Sequence, residues 1–145
     1  MSVNDVTVAD IEAYFQALTC ESVGDIGRFY TEDARFKDPF NDVSGLAAIA
    51  AIYRHMFDKL DAPRFVITGR WERPGGVILA WDFQFRMKSF EPGREQVIHG
   101  VSQLELAADG RIRLHRDYWD VAEELYEKLP LLGTLMRFLK RRAAG

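Results

Sequence analysis

Apolar positions recur along the chain in two rhythms, and the switch between them divides it. Ile11, Tyr14, Phe15 and Leu18 fall at helical spacing, which predicts a helix over Val8–Thr19. Asp25 is placed to cap a short second helix carrying Ile26, Phe29 and Tyr30. An extended piece, Ala34–Asp38, ends at Pro39, because the residue before a proline avoids the helical region. Asn41-Asp42-Val43-Ser44-Gly45 is turn chemistry. A third helix, Leu46–Leu60, gathers Leu46, Ile49, Ala50, Tyr53, Met56, Phe57 and Leu60 on one stripe. The period then drops to two. Four strands are predicted, Arg64–Arg73, Val77–Lys88, Glu95–Ala107 and Arg111–Asp120. Pro74-Gly75-Gly76, Glu91-Pro92-Gly93 and Ala108-Asp109-Gly110 join them as hairpin turns. Helical spacing returns at the end, broken at Pro130, with Leu132, Leu135, Met136 and Leu139 in a stripe.

Helices, then strands, then helices imply an α+β fold with a mostly antiparallel sheet. Antiparallel strands this long twist and coil. The expected architecture is therefore a strongly curved sheet wrapped around the N-terminal helices, a cone with an apolar pocket. One domain spans residues 1–145, with 121–142 as a helical C-terminal extension. Alternation assigns the faces: Trp81, Phe83, Phe85 and Met87 share one, Asp82, Gln84, Arg86 and Lys88 the other. In the last strand His115, Asp117 and Trp119 share a face, opposite Leu114, Arg116 and Tyr118. Val66, Val101 and Tyr118 alternate onto the outer face, which predicts a homodimer through it.

Charge and composition narrow the class. A net charge of −3 gives no basic face for nucleic acid. The single cysteine, Cys20, excludes an internal disulfide and favours a reducing compartment. Met1–Asp10 is polar and acidic, unlike a signal peptide, and no apolar run reaches ~18 residues, so a cytoplasmic protein is expected. His55, His99 and His115 lack ligand spacing, so no metal is expected, and no phosphate loop, dinucleotide fingerprint or nucleophile triad appears. No cofactor is therefore expected. The last turns carry Arg137, Lys140, Arg141 and Arg142. That basic helix is expected to cap the cone or join a dimer, ahead of a membrane-surface role.

Two stretches resemble known families. Tyr30-Thr31-Glu32-Asp33-Ala34-Arg35-Phe36-Lys37-Asp38-Pro39-Phe40, the loop to Gly45 and the helix with Ala51-Ile52-Tyr53-Arg54 resemble ketosteroid isomerase. The resemblance implies that Asp38 shuttles a proton and that Tyr14 donates to an oxyanion, supported by Tyr30 and Tyr53. It puts Trp119 on the pocket wall, and Ser102 where that family carries a second, acidic donor. His115-Arg116-Asp117-Tyr118-Trp119-Asp120, with Glu123-Glu124 and Leu129-Pro130-Leu131, resembles limonene epoxide hydrolase. Asp117 then matches a catalytic aspartate, while the inward Arg and Asp of that mechanism fall on Trp81 and Phe83. Together these stretches are similar to the SnoaL-like and nuclear-transport-factor-2-like superfamily.

The residues themselves support the same chemistry. A carboxylate among Phe36, Phe40 and Tyr14 is desolvated, which favours general-base work. Tyrosine hydroxyls in a dry pocket can stabilise a developing oxyanion. The expected catalytic set is Asp38, Tyr14 and Asp117; Tyr30, Phe36, Tyr53, Phe83, Ser102, His115 and Trp119 are the expected substrate-binding set. The expected function is a cofactor-free isomerase, cyclase or hydrolase acting on a hydrophobic steroid-, polyketide- or lipid-like molecule. The alternatives are a non-catalytic module that binds such a ligand and a pure dimerisation module.

Overall fold

A computed structural model of the chain describes residues 5–88, 92–124 and 130–144. Helix α1 (Val8–Gln16) starts at a capping box: the Thr7 hydroxyl accepts from Asp10 N, and the Asp10 carboxylate accepts from Thr7 N. It stops short of the predicted Thr19 because Thr19 and Ser22 exchange side-chain-to-backbone bonds that turn the chain. The second helix is a 3₁₀ helix over Ser22–Arg28, so Asp25 lies inside its first turn and does not cap it. Tyr30 is not helical. It opens strand β1 (Tyr30–Lys37), longer than the predicted extended piece. Within the predicted turn, Asp42–Ser44 forms a short strand, β2, paired with β1. Gly45 follows at φ 96°, a left-handed value that glycine adopts freely, and leads into α2 (Leu46–Lys59).

The four long strands appear as β3 (Leu60–Arg73), β4 (Gly76–Met87), β5 (Glu95–Leu106) and β6 (Ile112–Tyr118). Of the predicted turn at 91–93, Glu91 lies outside the described residues, as do Met1–Asn4 of the polar N-terminus. Two helices follow β6, the short α3 (Val121–Glu124) and the longer α4 (Pro130–Ala144). The side chains of Leu132 and Met136, half of the predicted C-terminal stripe, also fall outside the description. Among the described residues no helix is long and apolar enough to cross a membrane.

The six strands form one open, mixed sheet in the order β2-β1-β6-β5-β4-β3. Every pairing is antiparallel except β1 with β6, which is parallel and sets Phe36 beside His115. Strand β3 is irregular between Asp61 and Arg64 and again between Ile67 and Gly69, with Ala62 at φ 49°. Such bulges bend a strand and increase its twist, which curves the sheet toward the helices. The result is the cone that the sequence led us to expect, a curved, open sheet wrapped around the N-terminal helices.

Its interior divides in two. Ile11, Phe15, Val23, Ile26, Tyr30, Ile49, Leu79, Leu104 and Ile112 fill the space beneath α1, the 3₁₀ helix and α2. Trp81, Phe83, Phe85 and Ile98 form a second apolar group farther along β4 and β5, on the face the alternation assigned inward. Trp81 sits opposite Gly100 on β5, and a Cβ built there would lie 2.4 Å from the indole ring. The glycine gives the indole its flat seat. Gly100→Ala should therefore push Trp81 aside and cost about 1–3 kcal/mol, the usual range for overpacking. Thermal denaturation and the near-ultraviolet circular dichroism of tryptophan would read it; unchanged values in both would contradict the packing described.

Candidate functional site

The second apolar group is one wall of a cavity of about 320 Å³. Ile52, Tyr53 and Met56 of α2 face that wall, and Phe65 of β3 closes one side. Phe65 packs on Trp81 and Phe83, with ring centroids 5.7 and 4.7 Å apart. Asp38, Phe40 and Trp119 come from the β1–β2 turn and the end of β6, and His55 and Lys59 from α2. Asp117 also lines the space, at 16% side-chain exposure. Behind it lies a smaller space of about 20 Å³, touched by Ser102, His115 and Asp117 among apolar neighbours.

Two hydrogen-bonded chains meet on Asp117 Oδ1. From one side Tyr53 OH bonds Tyr30 OH at 2.9 Å, Tyr30 OH bonds His115 Nδ1 at 2.6 Å, and His115 Nε2 reaches Asp117 Oδ1 at 2.6 Å. From the other, Trp81 Nε1 donates to Ser102 Oγ at 2.9 Å, and Ser102 Oγ donates to the same Oδ1 at 2.5 Å. Among the described residues no hydrogen bond reaches Oδ2.

Burial holds the hydroxyls of Tyr30 and Tyr53 well above the usual phenol range, so both remain protonated. If Tyr53 donates to Tyr30 and Tyr30 to His115 Nδ1, a proton on His115 Nε2 points at Asp117 Oδ1. In this arrangement every O–H and N–H of the chain has an acceptor. Tyr30 holds the imidazole in one orientation, its own ring nearly parallel to it at an interplanar angle of 4°.

The other sequence-predicted residues divide cleanly. Phe36, Asp38, Tyr53, Phe83, Asp117 and Trp119 line the cavity together, with Ser102 and His115 behind its inner end and Tyr30 behind His115. Tyr14 does not join them. Its hydroxyl donates to Ser22 O at 2.7 Å and its ring stacks on Phe29 at 4.1 Å, so Tyr30 and Tyr53 bond each other and His115, not Tyr14. Asp38 reaches the cavity with its carboxylate already engaged. Oδ1 accepts from Phe40 N, Asn41 N and Asn41 Nδ2 at 2.7–3.0 Å, and Oδ2 accepts from Asn41 Nδ2 at 3.1 Å. That is the geometry of a turn-capping aspartate.

The inward positions of β4 are the aromatic Trp81 and Phe83, while Asp82 pairs outward with His99 and Arg86 with Glu95. Sequence reasoning missed the link from Trp81 through Ser102 to Asp117, and the places of His55 and Lys59 on the wall. The first needs the cross-strand register Ser102↔Asp117, which alternation within single strands does not provide. The helical spacing of His55 and Lys59 on α2 was the available signal for the second.

Comparison with known proteins agrees with this architecture. No curated protein matches the chain. Among solved structures, a protein of ketosteroid isomerase-like fold from Catenulispora acidiphila, in complex with trimethylamine, superposes with a TM-score of 0.67 at 13% identity, over 81% of this chain and 88% of that one. An epoxide hydrolase of M. tuberculosis, like limonene epoxide hydrolase, gives 0.66 at 19%, over 90% and 92%. A protein from Shewanella putrefaciens, assigned by similarity as a SnoaL-like polyketide cyclase, gives 0.65 at 20%, over 83% and 98%. At these identities the superpositions speak for the fold alone. The SnoaL-like domain profile matches residues 11–115, from the core face of α1 to the histidine behind Asp117. The chain belongs to the SnoaL-like domain family.

Proposed function

We propose that the protein is a cofactor-free proton-transfer enzyme, an isomerase or cyclase acting on a hydrophobic small molecule, with Asp117 as the group that moves the proton. The carrying observation is the meeting of both hydrogen-bonded chains on Oδ1, with no partner on Oδ2 among the described residues. Bonds to Oδ1 hold the carboxylate in one orientation; Oδ2 is then the basic atom offered to a ligand. An apolar substrate fits the aromatic wall, and removing a proton beside its carbonyl builds negative charge on the carbonyl oxygen. His55 and Lys59, which carry N–H donors on the opposite wall, are the groups available to meet that charge. Asp117 then returns the proton to another carbon, which gives isomerisation, or, where the carbanion attacks a second carbonyl carbon of the same molecule and closes a ring, to the alkoxide oxygen that this forms. His115, held by Tyr30, positions Asp117 and offsets its charge when it is ionised. Asp38 shapes the cavity through its turn.

One observation favours a second reading, hydration of an epoxide. The space of about 20 Å³ beside Asp117, Ser102 and His115 is large enough for one water, which needs roughly 10–15 Å³ and several polar partners. Product formed in H₂¹⁸O separates the two readings, since only hydration incorporates the label.

We further propose that two copies associate through the outer face of the sheet. Val66, Ile78 and Tyr118 are exposed there beside charges of both signs: Asp82 with His99, Arg86 with Glu95, and Arg116. A face of mixed sign can complement itself across a two-fold axis.

These readings give three expected outcomes. Asp117→Asn keeps the shape of the side chain but removes its basicity, so turnover should fall by about 10²–10⁴-fold. Asp38→Asn, which suits the same turn, should retain most activity. Loss of activity in the Asp38 variant with retention in the Asp117 variant would move the chemistry to the β1–β2 turn. Alkaline titration followed by tyrosinate absorbance should find Tyr14, pushed up to about 12 by burial and the nearby Asp25, still neutral where an ordinary phenol near 10.0 has ionised. The sign follows. Stability from the neutral phenol is complete below the unfolded value near 10.0, and is lost as pH rises through the folded value of about 12. Tyr14→Phe should remove one late-titrating group. Light scattering should give a dimer mass at micromolar concentration and a monomer for Tyr118→Asp; a monomer mass for the unaltered protein would defeat the proposed association.

A further inference from the structure

Among the described side chains of helix α4, the large apolar ones are exposed. Leu135, Phe138 and Leu139 stand at i, i+3 and i+4, one stripe of a helix, yet they are 51%, 47% and 48% exposed. Gly133, on a different side of the helix, is buried. The sequence led us to expect a stripe of Leu132, Leu135, Met136 and Leu139 on a helix that caps the cone or joins a dimer; of these, Leu135 and Leu139 are exposed, and the side chains of Leu132 and Met136 lie outside the description. The charges are as one-sided as the apolar groups. Residues 130–144 contain Arg137, Lys140, Arg141 and Arg142 and no acid, in a chain whose net charge is −3. Arg142 lies over the Phe138 ring, 5.8 Å from its centroid, so a cation sits directly at the edge of the exposed apolar stripe.

We infer that α4 is a docking helix for an anionic lipid bilayer surface, lying in the interface with Leu135, Phe138 and Leu139 toward the acyl region and Arg141 and Arg142 among the headgroups. A marked apolar stripe, a cationic polar face and an absence of acids are what the bilayer boundary selects, since one face meets hydrocarbon and the other meets phosphate. Other occupants fit less well. A second copy packed helix to helix would bring two clusters of cations together with no acid of α4 to separate them. A nucleic acid would satisfy the cations and leave the apolar stripe in water. The mixed-sign outer face of the sheet is a different surface and makes no such demand. This inference is independent of the chemistry proposed for Asp117. It would place an apolar-lined cavity, rimmed by Phe40 and Trp119, on a protein held where apolar molecules dissolve.

The test uses the full chain, with co-sedimentation on vesicles of phosphatidylcholine alone or mixed with phosphatidylglycerol. Binding is expected to the mixed vesicles and not to the neutral ones, and should weaken as salt is raised. Phe138→Glu, at a site exposed enough to leave the fold intact by circular dichroism, should weaken binding by roughly tenfold or more, and so should Arg141→Glu with Arg142→Glu. No binding to the anionic vesicles at low salt would overturn the inference. So would binding that needs the arginines but ignores Phe138→Glu, because the protein would then be held by charge alone. Loss of self-association in Phe138→Glu, without vesicle binding by the unaltered chain, would assign the stripe to a second copy and overturn it equally.

Discussion

A carboxylate at the inner end of an apolar cavity is costly unless it is hydrogen bonded, and the architecture around Asp117 Oδ1 is organised by that requirement. Meeting it takes side chains from five elements: Trp81 of β4, Ser102 of β5, His115 of β6, Tyr30 of β1 and Tyr53 of α2. Each must arrive within hydrogen-bond distance of the next, so the register of four neighbouring strands and the seating of α2 are tied to one oxygen atom. Gly100 belongs to the same constraint, because without its bare surface the indole could not lie flat and deliver its N–H to Ser102. Buried polar chains of this kind exact a large penalty when a member is removed, and they select one arrangement of the core over its alternatives.

The two carboxylates of the cavity show how environment divides roles. Asp38 and Asp117 line the same space, but the first is surrounded by the N–H groups of its own turn and the second by side chains brought from distant strands. Local sequence made the first conspicuous: an aspartate before a proline is easily noticed. The partners that distinguish the second are far away along the chain.

That difference explains what the sequence could and could not convey. Period-two alternation in β4 was enough to turn Trp81, Phe83 and Phe85 inward, and the same rule put His115, Asp117 and Trp119 on one face of β6, because each needs only the pleat of a single strand. Pairing between strands was invisible to it. The β3 bulge near Ala62 and Pro63 moved the start of that strand back to Leu60, and β2 was hidden inside residues that read as a turn. Tyr14 was misread for a related reason. Family spacing placed it toward the cavity, whereas Ile11 and Phe15 take the core-facing side of α1 and leave Tyr14 against Phe29 and Ser22.

The parallel pairing of β1 with β6 has a consequence for how the molecule is assembled. Tyr30 and His115, which share one of its buried hydrogen bonds, are separated by 85 positions, so the centre of the sheet joins an early strand to the last one. The meander from β3 to β6 can form by local hairpins, but closing β1 onto β6 first demands that a long loop be ordered, which slows folding. A chain emerging from the ribosome therefore holds Tyr30 without its His115 partner until β6 has been made. The cavity has an inner end only when the final strand docks, and the docking strand brings Asp117 with it.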